Sequence, residues 1–384
     1  MRTFIATLFL SALFFGCGKQ TPTVEDGEKA LSEGDFKTAA TAFKAALKEH
    51  PSSVPLHYNL GVAQALAGDI SGAIASFRDV LRFTPGDLDA SEALAGELRK
   101  AGSADNLSEA HELLDFVLQY REGTAAARAL NSMALVESAL RRNDLALARL
   151  LAAHNADPEY APTFYNFGNL CAKTFRLPAA AVKPLNDFLA TNPADEALVK
   201  KAAKMRDEAA KSLPPSYSHV TAPEAAALVT QGLEAYAKKE YAKAEDFFAQ
   251  ATAADPLAFD ALANRANALM AMNRVAEARK SFEAAANLDP TRFNIAYWVA
   301  NTTYSSGDYE KAIAALTSSI IPRWPDEPQA LRLAAYSYAQ GQRYYEARIY
   351  GELFLAATKR ANPAAKTADF EAWMGKMTDT KFKP

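Results

Sequence analysis

Apolar residues recur along this chain with two nested periods. Ala244, Phe248 and Ala251 fall at i, i+4 and i+7, the spacing of one helix face, and Asp255-Pro256 ends the run. The set then returns at a fixed step: Ala244 as Ala278, Phe248 as Phe282, Ala251 as Ala285 and Pro256 as Pro290, with Ala312 opening the next copy. A fixed period of about 34 residues predicts paired helices stacked in an array, not one globular core. The small residue lets two antiparallel helices approach closely, and the large one a turn later fills the space towards the next unit. The pattern therefore predicts an all-α chain.

The same unit can be followed from residue 25. The first copy aligns Gly27, Ala39, Phe43, Ala46 and Pro51, and the second aligns Leu60, Gly61, Ala73, Phe77 and Pro85. Gly34-Asp35 and Gly68-Asp69 mark tight turns, glycine supplying the left-handed conformation at a helix end. The period then degrades. Ala110 comes later after Ala73 than the period requires, and Gly102–Asn106 reads as a loosened turn. A fourth unit over 125–158 has Asn143-Asp144 at its turn and Leu150-Leu151 in place of an aromatic. A fifth runs from Phe164 and Phe167-Gly168 to Ala181, Leu185 and Pro193. A charged helical stretch over 195–211 reads as a cap closing an N-terminal array, 25–211. Pro214-Pro215 and Pro223 predict an extended linker, 212–223.

A C-terminal array over 224–362 follows, in units of 224–257, 258–291, 292–325 and 326–362. Gly307-Asp308-Tyr309 and Gly341-Gln342 are its later turn signals, and Gly351 and Phe354 replace the expected aromatic and alanine. Residues 363–384 hold a last capping helix, with Phe370, Trp373 and Met377 on one face, and a tail with Lys376, Lys381 and Lys383.

Leu60-Gly61…Ala73…Phe77…Pro85 and Gly232…Ala244…Phe248…Ala251…Pro256 carry a resemblance to the tetratricopeptide repeat family. The resemblance implies a right-handed superhelix of helical hairpins, here two arrays joined by the linker. It also implies that the first helix of each unit lines a concave side on which an extended peptide lies. Carried over position by position, the peptide-facing residues are Asn59, then Tyr165, Asn166 and Asn169, and in the second array Asn264, Asn267, Asn294, Tyr297, Trp298, Asn301, Arg332 and Tyr336. Asparagine amides donate and accept with a peptide backbone at once, and tyrosine and tryptophan offer rigid contact area. Asparagines at these places also pack unit against unit, so the pattern alone does not separate the two roles. The family's clamp for a C-terminal carboxylate needs lysines where Val229 and Ala263 stand, leaving only Arg332. A chaperone-tail ligand is therefore not expected.

The N-terminus changes where such an array would sit. Residues 1–16 have the form of a signal peptide: Arg2, then a short apolar run, Phe4–Phe15. Phe14-Phe15-Gly16-Cys17 resembles a bacterial lipobox, with Phe14 where leucine is usual. Lipid on Cys17, each buried CH₂ contributing about 0.8 kcal/mol, would anchor the chain to a membrane through a tether over 17–24. Gly18 favours the outer membrane, periplasmic side.

Composition narrows the functions. The chain is 49% hydrophobic and 23% charged with a net charge of −3, ordinary for a folded protein and no basis for nucleic-acid binding. His50, His57, His111, His154 and His219 are scattered. His111-Glu112 begins a zinc-peptidase-like string, but Asp115 stands where the second histidine would be needed. Cys171 lies on the apolar face of a helix and is expected to be a buried thiol. No metal, cofactor or enzymatic activity is expected. The leading expectation is a membrane-tethered scaffold binding a peptide or subunit of a cell-envelope complex in its groove. A structural spacer or self-assembly element, and an accessory module of an envelope enzyme, are the alternatives.

Overall fold

The computed structural model describes residues 23–214 and 217–377. The expected signal peptide over 1–16, Cys17, most of the expected tether over 17–24, Lys381 and Lys383 lie outside those residues. The described chain is all-helical and divides into two compact units, one up to Arg142 and one from Asn143 onward. That division falls at the fourth repeat, whereas the proline-containing stretch 212–223 lies within the second unit.

The first unit comprises α1 (Val24–Glu33), α2 (Phe36–Glu49), α3 (Val54–Ala67), α4 (Ile70–Phe83), α5 (Leu88–Ala101), α6 (Ala104–Leu118) and α7 (Gly123–Ala139), each packed on its neighbours in sequence. Gly34, Gly68 and Gly102 take φ of 83°, 82° and 77°, and the next residue caps the following helix. Asp35, Asp69 and Ser103 accept the backbone N–H of Thr38, Gly72 and Asn106. Gly102-Ser103 is thus a two-residue turn like its predecessors but more loosely held, since Ser103 lacks the N–H bond back to the helix that Asp35 and Asp69 make to the Ala30 and Gln64 carbonyls. The departure lies inside α6, which buries Leu107, Ala110, Leu114 and Val117. Close approach fixes two further glycines. A Cβ at Gly27 would stand 2.8 Å from the Phe43 ring, and one at Gly61 would stand 2.7 Å from Phe77. His111 has a structural role: its Nε2 lies 2.9 Å from Glu137 Oε1, a fully buried carboxylate that Arg142 also faces at 3.6 Å.

The second unit comprises α8 (Asn143–Ala156), α9 (Ala161–Asn169) with a π-turn over Leu170–Thr174, α10 (Pro178–Ala190), α11 (Glu196–Ala210), α12 (Pro223–Ala237), α13 (Tyr241–Ala254), α14 (Phe259–Ala271), α15 (Val275–Leu288), α16 (Phe293–Ser305), α17 (Tyr309–Ala315) with a π-turn over Leu316–Ile320, α18 (Ile321–Arg323), α19 (Pro328–Gln340), α20 (Tyr344–Ala361) and α21 (Ala368–Met377). Cys171 sits in the first π-turn, fully buried, where burial pushes its thiol up to about 12.

Left-handed residues mark the turn of each hairpin in the later array: Lys239, Asn273, Gly307 and Gln342, all with φ between 58° and 82°. The step from Lys239 to Asn273 equals that from Asn273 to Gly307, but Gln342 comes one position late. The π-turn Leu316–Ile320 absorbs the extra residue. Ahead of it Ala312 and Leu316 hold their expected buried places, and beyond it Ile320, not Ser319, fills the next one. The expected turn at Gly341-Gln342 is present, with Gln342 as its left-handed residue and Gly341 at φ of −75°.

α8 packs against α20, far along the chain from it. Asp144 organises the contact. One carboxylate oxygen accepts from the Tyr338 hydroxyl at 2.7 Å and from Arg343 at 2.9 Å, and its backbone carbonyl accepts from Tyr350 at 2.8 Å. Both tyrosines are fully buried and stacked, with ring centres 5.2 Å apart. Burial, and then each other and Asp144, push the Tyr338 hydroxyl far above the usual phenol range. Further along the same helices Arg149 bonds the Tyr345 hydroxyl, and Arg360 reaches Asn155 at 2.6 Å.

The segment before α12 is docked on the array it leads into, not extended away from it. The Tyr217 hydroxyl donates to the Leu257 carbonyl, and its ring lies 5.9 Å from Phe259. Asp255 receives His219 Nε2 at 2.8 Å and the Ala222 N–H at 2.9 Å. The His219 bond first, and the Ala222 N–H next, hold the Asp255 carboxyl below its ordinary value. A depressed folded-state value means that this contact stabilises fully above the unfolded carboxylate range, about pH 4, and fades as pH falls through the lower folded value. Acid below that range is expected to undock residues 217–222, and Asp255→Ala to undock them at pH 7. Limited proteolysis before Pro223 would read this, and unchanged cleavage in the variant would refute it.

Candidate functional site

The predicted peptide-facing residues of the later array lie on α14, α16 and α19, the first helices of three successive repeats, whereas Asn59 lies on α3 and Tyr165, Asn166 and Asn169 lie on α9. α16 packs directly beside α19, so the face is continuous there. With the one-residue insertion counted, its columns read Ala263, Tyr297, Arg332 and Asn267, Asn301, Tyr336. Ala266, Ala300 and Ala335, each fully buried, are the small residues behind it. Asn264 and Trp298 share a third column that ends in Leu333, which is buried.

Two clusters emerge from this face. In the first, Tyr297 lies 5.5 Å from Trp298 and 5.9 Å from Phe293, which meets Trp324 edge-on at 5.6 Å. Trp298 stacks at 6.0 Å on Phe282, the core aromatic of the preceding repeat, with 9° between the planes, and remains 36% exposed. A large apolar ring stacked on the core and still partly exposed is pre-organised for contact, because little side-chain freedom is left to lose on binding.

In the second cluster, Arg332 and Tyr336 line a groove of about 600 Å³ with Phe354 and Thr358 of α20 and Lys366 and Phe370 beyond it. The Arg332 guanidinium sits 5.7 Å over the Phe354 ring and has no carboxylate partner among the described residues. Tyr336 is half covered by α21, with Trp373 at 4.6 Å and Phe370 at 5.7 Å. α21 seats itself through Met374, whose sulfur lies 2.5 Å from where a Cβ on Gly351 would be. The glycine at the aromatic position of that repeat makes room for the cap.

The asparagines divide. Asn264, Asn267 and Asn301 are half-buried, and their amides make no hydrogen bond among the described residues. Half-buried amides with unused donors and acceptors fit a ligand backbone better than a packing role. Asn294 is exposed and accepts the N–H of Ile295 at 3.0 Å, so it is engaged locally. In the earlier repeat Tyr165 packs on Phe188 at 5.4 Å and Asn169 leads into the π-turn. Phe293, Trp324, Phe354, Phe370, Trp373 and Lys366 were not among the predicted site residues. Trp324-Pro325 stands where earlier repeats carry Asp255-Pro256 and Asp289-Pro290, and a one-residue shift of the alignment would have revealed it. Among the described residues no group of three His, Cys, Asp or Glu side chains gathers, and no helix is long and apolar enough to cross a membrane.

Comparison with known families places tetratricopeptide repeat models on residues 27–87, 259–292 and 300–370. No curated protein matches the sequence. Among solved structures, a thermophilic tetratricopeptide repeat protein of Thermus thermophilus is 22% identical over 47% of this chain and 96% of its own, with a TM-score of 0.40. MamA from Desulfovibrio magneticus RS-1 is 19% identical over 49% of this chain and 90% of its own, with a TM-score of 0.35. The Cut9–Hcn1 assembly is 13% identical over 91% of this chain and 82% of its own, with a TM-score of 0.34.

Proposed function

Because the chain is a tetratricopeptide repeat protein, of a fold that serves protein–protein interaction, we propose that it is a membrane-tethered scaffold that holds a peptide segment or subunit of a cell-envelope complex against α14, α16 and α19. The observation that carries the reading is the flat, exposed Trp298 beside Tyr297, next to half-buried asparagine amides without internal partners. The aromatics anchor side chains of the bound segment, the amides take its backbone, and Arg332 adds a charge at one end. Interfaces concentrate their energy in such central aromatic and arginine residues, about 2 kcal/mol or more each when truncated. The tether is lipid on Cys17.

Affinity capture from detergent-solubilised membranes, with wild type beside a Tyr297→Ala/Trp298→Ala/Arg332→Ala variant, tests the groove. Recovery of the captured partner is expected to fall at least tenfold in the variant. Equal recovery would remove the groove from the reading and favour a spacer. Cys17→Ala is expected to move the protein from the membrane fraction to the soluble one, and a variant that stays bound would remove the lipid.

A further inference from the structure

We propose that the partly open cavity between α8–α10 and α18–α20 is a binding site for a short-chain monocarboxylate. The cavity measures about 80 Å³. An apolar cavity of about 150 Å³ takes benzene, so this one has room for a chain of about three or four carbons. Its walls demand an apolar tail: Leu150, Leu151 and Phe167 face it from one side, and Leu331, Leu353 and Ala357 from the other.

The rim selects the head group. Three cations, Lys183, Arg323 and Arg360, stand against two carboxylates, Asp187 and Asp326. Lys183 is matched by Asp187 at 2.8 Å, and Arg360 by Asp326 at 3.2 Å. Arg323 donates only to the Ser319 hydroxyl, at 2.8 Å, and has no carboxylate partner among the described residues. Arg323, an exposed residue, is thus the lining cation left for an incoming anion. His154 also lines the cavity, 5.6 Å from the Phe164 ring and without a hydrogen bond among the described residues. Burial, and then Arg360, hold its imidazole below the usual range. It is thus neutral at pH 7 and offers one N–H without changing the charge balance. The buried Thr163 hydroxyl in the wall also lacks a partner. A carboxylate on a short aliphatic chain meets these conditions together: charge at Arg323, a hydrogen bond at His154, carbon against the leucines. An amine of the same length would bring a fourth cation to a rim whose three already outnumber its two carboxylates.

Calorimetric titration of the full chain at pH 7 with butyrate, 1-butylamine and acetate tests this. Butyrate is expected to bind with a millimolar constant and to raise the melting temperature, while butylamine gives neither effect and acetate binds more weakly than butyrate. Arg323→Gln, at the rim, is expected to weaken butyrate at least tenfold, and Ala357→Leu, which fills the space, to abolish it. Leu353→Ala enlarges the cavity and is expected to turn the preference from butyrate to hexanoate, a readout that survives if Ala357→Leu folds poorly. No heat with butyrate, equal binding of butylamine, or binding unchanged in Arg323→Gln would overturn the assignment.

Discussion

Phe248→Ala is expected to lower the stability of the second unit by about 3–5 kcal/mol, the usual cost of emptying a fully buried phenylalanine site. The ring is completely buried and joins three helices, packing with Ala235 of α12, Ala244 of α13 and Ala268 of α14. Its seat is so close that a Cβ on Gly232 would approach the ring to 2.5 Å. Little can collapse into the space, because alanines surround it and the helices are already in near contact. Urea unfolding followed by circular dichroism measures the loss, and a change below about 1 kcal/mol would show that the ring contributes little. The effect is expected to be local, since repeat stability is close to a sum of units and nearest-neighbour interfaces. Amide exchange should accelerate in α12–α15 and stay unchanged in α1–α4. Gly232→Ala alone is expected to overpack the site by about 1–3 kcal/mol. In a Phe248→Leu background its cost should shrink, because the smaller side chain leaves room for the new methyl group.

Asp144→Ala is expected to cost about 2–4 kcal/mol, through a buried hydroxyl that loses its carboxylate and a weakened charge pair. The Tyr338 hydroxyl, buried with its ring, would lose its carboxylate acceptor and have only the neighbouring Tyr350 oxygen to turn to, and Arg343 would keep Glu346 at 2.8 Å and the more distant Glu310 at 3.7 Å. Arg343 and Asp144 are 35% and 21% exposed, so water softens the loss of charge and keeps the figure below that of a wholly buried pair. Asp144→Asn preserves an acceptor for Tyr338 and is expected to cost less than half as much. Tyr350 bonds the backbone carbonyl and should hold in both variants. The diagnostic signal is faster amide exchange in α20 together with α8. A variant within about 0.5 kcal/mol of wild type, the range of an ordinary surface substitution, would make the network incidental to the contact.

The repeat itself was legible because its causes are local. Gly27 with Phe43, Gly61 with Phe77 and Gly232 with Phe248 stand at one constant separation, on paired helices, so one contact leaves its mark at the same spacing every time. The face holding Asn264, Asn267, Tyr297, Trp298 and Asn301 followed from that register. Beyond Ala312 the register slips. A helix can take an extra residue as a π-turn at many points, and residues 316–320 give no mark of it by themselves. The slip put Arg332 in the column of Tyr297 and Tyr336 in that of Asn301. It also set Gln342, not Gly341, as the left-handed residue of the last turn.

By itself, then, the sequence determined the helical hairpin, its period, its small-against-large packing and the helices that share a face. Those rest on contacts between residues a few turns or one repeat apart. The tertiary structure alone decided that Asp144 meets Arg343, Tyr338 and Tyr350, that Asp255 docks the segment before α12, and that Trp373 covers part of Tyr336. These are single contacts, some between residues far apart in the chain, and they recur at no period. A one-time pairing leaves no repetition in the chain for a reader to find; only folding brings its two halves together.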